Sequence, residues 1–216
     1  MSWLPGRGRI VTLLVAAALG VGAGFGLLFL FGDDRNGPAA LVGPVTSRGV
    51  ARIGGPFTLT DQHGKTRTDR EFRGKYMLVF FGYTNCPDVC PTGLQDMSEA
   101  LEALGADAEK VQPIFISIDP ERDKPALLKD YAANFHSRFI ALTGSTSAIA
   151  KTAKSFRVYY AKTGDKSGDA YHMQHSTLVY LMGPDGKFLT RFTHNTRPKL
   201  MAAGISRFFK RPSAAR

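Results

Sequence analysis

The longest apolar stretch lies near the start of the chain. From Ile10 to Gly32 the sequence reads IVTLLVAAALGVGAGFGLLFLFG, with no charged residue. A bilayer core is crossed by about 20 apolar residues in a helix, so this run suffices. Arg7 and Arg9 precede it, and Asp33 and Asp34 follow it. Basic flanks stay in the cytoplasm, which places residues 1–9 inside and the remainder outside. A cleaved signal peptide is the competing reading, but its apolar core runs about 7–15 residues before a small-residue cleavage site. This run is longer and ends in Phe29-Leu30-Phe31. The expectation is an uncleaved transmembrane anchor at 10–32, a linker at 33–49 rich in Gly, Pro, Asn and Ser, and a folded domain over 50–212.

Within that domain the pattern changes to short alternating pieces. Residues 55–60 and 65–68 flank the polar stretch Asp61-Gln62-His63-Gly64 and predict a β-hairpin. Tyr76–Gly82 (YMLVFFG) is continuously apolar, as a central strand covered on both faces requires. Leu94, Met97, Leu101 and Leu104 recur at helical spacing in residues 93–104. A second buried strand is expected at 111–118, a helix at 124–135, a short strand at 139–142 and a helix at 145–156. Residues 175–182 and 187–193 predict a hairpin around Gly183-Pro184-Asp185-Gly186, and residues 198–210 a closing helix. This order is α/β. It matches a thioredoxin-like fold with an extra N-terminal β-hairpin, preceded by one transmembrane helix. In such sheets ligands bind beyond the carboxyl ends of the strands.

Charge and cysteine usage narrow the chemistry. The chain has 216 residues and a formal net charge of +10. Of its 28 basic and 18 acidic residues, 25 and 16 lie beyond Gly37, so the excess belongs to the exported part. A solvated surface beside an anionic membrane accounts for that excess. Nucleic-acid binding is not expected, because no arginine-rich run is interleaved with aromatics. Cys86 and Cys90 are the only cysteines. A disulfide closing so small a loop removes little unfolded-state entropy, so a functional pair is the better reading than a structural bridge.

The pair sits just after the Tyr76–Gly82 strand, in Gly82-Tyr83-Thr84-Asn85-Cys86-Pro87-Asp88-Val89-Cys90-Pro91. Each cysteine precedes a proline, and a residue in that position is pushed out of the α region. Pro91 suits a first helical position, which puts Cys90 at the helix entry. Pro87-Asp88 suits the middle of a β-turn that folds Cys86 back toward Cys90. Four extended steps would otherwise separate the pair by about 13 Å. A helix N-terminus favours thiolate, and thiolates are soft ligands that select Cu(I) among other soft ions. A third donor must come from elsewhere. His63, His136 and His194 have sufficient explanations as a solvated turn residue, a helix-end residue and a surface residue. His172 and His175 flank the next strand and point opposite ways if it extends that far, so only one faces the cysteines. The turn Ser117–Asp123 (SIDPERD) ends a buried strand on the same sheet edge. Asp123 is expected to cap the next helix, with Asp119 or Arg122 as candidates for shaping the site or docking a partner.

At these residues the chain resembles the Sco/SenC family of copper chaperones. The resemblance rests on FFGYTNCPDVCP at 80–91, SIDPERD at 117–123, HST at 175–177 and GPDG at 183–186, and covers roughly residues 50–210 together with the anchor. It implies one copper ion, as Cu(I) with Cu(II) as a second state, held by Cys86, Cys90 and His175. It also implies a role in assembling the dinuclear copper centre of cytochrome c oxidase. The partners implied are the oxidase subunit that carries that centre and a thiol reductant or another copper chaperone. The competing function is a thiol-disulfide oxidoreductase that keeps the subunit's cysteines reduced. A peroxide-reducing enzyme lacks its expected threonine and arginine set. Two features favour metal binding: the C-x-x-x-C spacing is one residue longer than the redox C-x-x-C, and a histidine stands where redox relatives carry a proline. Family members often have an acidic residue directly before the histidine. Here it is Gln174, which questions how His175 is tuned and makes His172 and Met173 substitute donors. The absence of a basic, Ser-rich presequence points to a bacterial inner membrane, with the C-terminal domain in the periplasm.

Overall fold

The computed structural model describes residues 52–164 and 171–209, all within the unit that runs from Gly49 to Arg216. The expected anchor at 10–32 and linker at 33–49 lie outside the described residues. Among the described residues no helix is long and apolar enough to cross a membrane.

Among the described residues, nine strands and four α-helices follow in the order β1 (Thr58–Asp61), β2 (Thr66–Thr68), β3 (Tyr76–Gly82), α1 (Val89–Leu104), β4 (Val111–Ser117), α2 (Pro125–Ala132), β5 (Ile140–Thr143), α3 (Thr146–Phe156), β6 (Tyr160–Thr163), β7 (His172–His175), β8 (Leu178–Met182), β9 (Phe188–Thr193) and α4 (Pro198–Phe209). Seven strands make one sheet in the order β2-β1-β5-β4-β3-β8-β9. Its centre is the parallel trio β5, β4 and β3, with antiparallel neighbours outside it. The N-terminal hairpin β1–β2 extends this sheet past β5.

β3 is the axis of the core. Its apolar run is buried from Met77 to Gly82, and each large side chain withdrawn from water there contributes about 1.5–3 kcal/mol. Successive strand residues face opposite sides. Phe80 accordingly lies against Gly93 of α1, while Phe81 meets Phe156 of α3 at 5.2 Å and Tyr180 at 6.3 Å. The sheet is thus covered on both faces. α4 closes the α1 side, where Phe192 fills the space above Gly204. Tyr76 reaches the end of the same helix, with its ring 5.0 Å from Phe209 and its hydroxyl donating to the Phe208 carbonyl.

Two expectations need correction. The strand expected from His175 to Met182 is broken. His175 ends β7, and β8 starts only at Leu178. β7 pairs instead with β6 in a separate two-stranded ribbon, with Tyr160 opposite His175 and Thr163 opposite His172. Residues 159–163 carry too little apolar alternation to have announced that strand. The helix after the cysteines also begins earlier than expected. It starts at Val89 and holds Cys90 and Pro91 in its first turn. The first N–H groups of a helix have no internal partner, so proline at the third position sacrifices no helical hydrogen bond.

Candidate metal centre

Topology brings three segments to one edge of the sheet. The cysteine loop leaves the end of β3, and the 117–123 turn leaves the end of β4, its parallel neighbour, with Gly82 opposite Ser117. β8 runs antiparallel to β3, so the residues just before it return to the same edge. His175 is among them.

The cysteine loop folds by a different turn from the one expected. The Cys86 N–H donates to the Tyr83 carbonyl at 3.4 Å, so the hydrogen-bonded turn is Tyr83–Cys86 and not one centred on Pro87-Asp88. The helix then follows from Asp88 at its N-cap, whose carbonyl accepts from Thr92 N–H at 3.1 Å. Asp88 supplies no side-chain cap. Cys86 does part of that work: its sulfur accepts from the Cys90 N–H at 3.4 Å. A helix N-terminus stabilises negative charge at that position.

Cys90 is fully buried and Cys86 half-buried, and both are free thiols. A hydrogen bond from the Cys90 thiol, distinct from that of its N–H, holds the Cys86 thiol far below its ordinary range, helped by His175 and backbone N–H groups against the effect of burial. The same hydrogen bond, followed by burial, pushes Cys90 up. The two therefore titrate as a pair in which Cys86 carries the charge and Cys90 keeps the proton. β3 forms the floor. A Cβ at Gly82 would stand 2.8 Å from Cys90 Sγ and 2.9 Å from Phe115 Cε2, so only glycine lets the sulfur sit this close.

His175 reaches the pair from the ribbon. Its Nε2 lies 3.5 Å from Cys90 Sγ. Its Nδ1 is 3.0 Å from the Ser176 carbonyl, which can only accept, so Nδ1 carries a proton and Nε2 is the ring nitrogen turned toward the sulfur. The ring is walled edge-on by Tyr83 at 6.0 Å and Phe80 at 6.2 Å. Gln174 is exposed on the other side of β7, together with His172. Met173 shares the buried side with His175. His63 and His194 are exposed, and His194 Nδ1 pairs with Thr177 Oγ1 at 3.0 Å. His136 Nδ1 accepts from Arg138 N–H at 3.3 Å.

Among the described residues, no three His, Cys, Asp or Glu side chains already surround one point at metal-holding distances. Cys86 and His175 both adjoin Cys90, but the Cys86 sulfur is turned to the helix N–H.

The expected cap at Asp123 is absent. Lys124 is the residue before α2, and it has no side-chain cap. Asp123 is fully buried and points at the cysteine loop. It accepts from Thr84 N–H at 3.1 Å, Thr84 Oγ1 at 2.6 Å and Ser117 Oγ at 2.6 Å. No local pattern could have revealed a partner 39 residues away.

A family model described as SCO1/SenC matches residues 45–210. A SCO2-like protein of Rickettsia felis is 38% identical over 191 residues, covering 88% of this chain and 91% of that protein. The structure of Bradyrhizobium japonicum ScoI with copper bound is 51% identical, with a TM-score of 0.67 over 72% of this chain and 99% of that one. A structure of BsSco, described as a member of the Sco family of cytochrome c oxidase assembly proteins with a disulfide switch, is 32% identical, with a TM-score of 0.58 over 73% of this chain and 93% of that one. The mixed α/β fold of the described domain is the thioredoxin-like fold of these proteins.

Proposed function

The chain belongs to the SCO1/SenC family, and from that premise we propose that it is a membrane-anchored copper chaperone that helps assemble the dinuclear copper centre of cytochrome c oxidase. It takes one copper ion through Cys86, Cys90 and His175. The observation that carries this reading is the approach of His175 Nε2 to Cys90 Sγ at 3.5 Å with Nδ1 already engaged by Ser176. Metal-bond lengths of about 2.3 Å to sulfur and about 2.1 Å to nitrogen, at about 110–120°, set such donors about 3.6–3.8 Å apart. The donor set is soft, which suits Cu(I), and the imidazole also tolerates Cu(II). Metal-bound thiolates keep backbone N–H hydrogen bonds, so the Cys90 N–H can continue to stabilise the Cys86 sulfur with the ion in place.

The copper-bound state of the Bradyrhizobium relative and the oxidase-assembly role of BsSco support the same reading. The oxidase subunit that carries the copper centre is the recipient, and a thiol reductant or another copper chaperone keeps the cysteine pair supplied. The anchor at 10–32 holds the domain on the periplasmic side of a bacterial inner membrane. Reduced protein is expected to bind one equivalent of Cu(I) in titration against a competing chelator. His175→Ala should weaken binding well over tenfold, and Cys86→Ser and Cys90→Ser should each abolish tight binding. Full affinity in any of the three removes that residue from the set.

A second reading, a thiol-disulfide reductase acting on the same subunit, is favoured by the shared proton of the sulfur pair, because a thiolate beside a thiol is the attacking arrangement in exchange. Measuring the pair's reduction potential tests both. A value far below the compartment's poise locks the pair as a disulfide that neither reduces a partner nor takes up metal, and sinks both readings.

A further inference from the structure

The two halves of the site belong to different parts of the fold. Cys86 and Cys90 are fixed to the end of β3 in the main sheet and to α1, whereas His175 ends a ribbon, β6–β7, whose strands, among the described residues, pair only with each other. Something must therefore set the ribbon's distance from the cysteine loop. Besides the contacts of His175 itself with Tyr83, Phe80 and Cys90, a second group of contacts across this gap meets at the 117–123 turn. Asp119 is buried to 1% exposure, and its carboxylate takes two donors. Tyr171 Oη donates to Oδ1 at 2.6 Å, and Arg122 Nε donates to Oδ2 at 2.5 Å. Arg122 Nη1 also donates to the Tyr171 carbonyl at 3.0 Å, and its guanidinium lies 3.7 Å over the Tyr171 ring. Tyr171 is itself buried and immediately precedes β7, four residues before His175. At the other end of the same turn, Asp123 holds Thr84 of the cysteine loop.

We propose that Asp119, Arg122 and Tyr171 form a latch that positions His175 over the cysteine pair, so that the 117–123 turn sets the spacing between the two halves of the site. Asp123 ties down the sulfur side and the latch ties down the imidazole side. These are positioning residues; none of the three latch side chains is a ligand. A buried carboxylate is suited to this task because both its oxygens are engaged, and loss of either donor leaves charge without compensation. The exposed pair Lys162–Glu121 crosses the same gap at 2.6 Å, but an exposed ion pair contributes little to holding geometry. The effect of the latch on copper rests on the reading of His175 as a ligand.

The test uses the full chain, with Asp119→Asn and Tyr171→Phe. The second variant removes a single oxygen and keeps the ring under Arg122, so it preserves folding if the first does not. In metal-free protein with labelled histidine and tyrosine, the nuclear Overhauser contact between the His175 and Tyr83 rings is expected to weaken or vanish in both variants. Cu(I) affinity should fall about 10–100-fold, the range for outer partners of metal ligands. Placed in a His175→Ala background, Tyr171→Phe should weaken Cu(I) binding no further. An unchanged ring contact in Tyr171→Phe overturns the latch. So does a loss of Cu(I) affinity that persists at full size in the His175→Ala background. If His175→Ala alone leaves Cu(I) affinity intact, the ligand reading fails, and the metal-free ring contact still decides whether the latch positions the histidine.

Discussion

The chemistry of the site rests on how one proton is shared. Cys86 is held below the ordinary thiol range by the hydrogen bond from Cys90, and Cys90 is held above it by the same bond and by burial. A soft metal takes both sulfurs as thiolates. Cys86 arrives deprotonated, so binding displaces one proton, from Cys90. Apparent Cu(I) affinity should therefore rise about tenfold per pH unit between pH 7 and 9, the slope expected for one displaced proton. Competition titrations across that range check it. A slope near two means that Cys86 is protonated as well, and a slope near zero means that neither holds a proton. Spacing and the neighbouring prolines were enough to mark these two residues as a functional pair. Which sulfur keeps the proton was not legible, because it depends on burial and on His175, 85 residues beyond Cys90. The choice between His172 and His175 was legible only through the family resemblance. The structure places His175 beside Cys90 and His172 on the exposed side of the ribbon.

At the scale of elements, the strands that bury both faces were the easiest to read. Tyr76–Gly82 was found at its full length, because an unbroken apolar run of that size has few other uses. The start of α1 was misplaced, because a proline tolerated at three successive positions does not say which one it occupies. The ribbon β6–β7 was missed, because YAKT and HMQH are four residues each and β7 offers a single apolar side chain, Met173, on its buried side. Asp123 was read as a cap, a local role, whereas its partners lie in the cysteine loop and at the end of β4. The end of β3 has a requirement of its own. Gly82→Ala puts a methyl group into the space of Cys90 Sγ and Phe115. Overpacking of this kind is expected to cost about 1–3 kcal/mol, measured by urea denaturation, and to weaken Cu(I) binding by displacing the sulfur. Wild-type stability and affinity in this variant would mean that α1 can slide away from β3.

The whole molecule combines a basic domain with an apolar N-terminal run. Beyond Gly37 it carries 25 basic and 16 acidic residues. Such a surface is drawn toward anionic lipid, but the attraction is screened by salt and cannot alone keep the chain at the bilayer. Anchoring by residues 10–32 predicts that the chain stays in the membrane fraction through alkaline carbonate and high salt. It also predicts that the chain is cut by protease added from the periplasmic side. Release by carbonate would show peripheral attachment instead.

If the chain delivers copper as proposed, the separation of ribbon from sheet has a further meaning. Three ligands fixed to one rigid scaffold would have to let go together. Here the imidazole is mounted on two short strands and the thiolates on the core. An incoming donor from a recipient can displace the histidine first while both sulfurs keep hold, and then replace the sulfurs in turn. On the proposed ligand set the ion would be passed by substitution and not set free, and the ligand standing outside the sheet would be the first to leave.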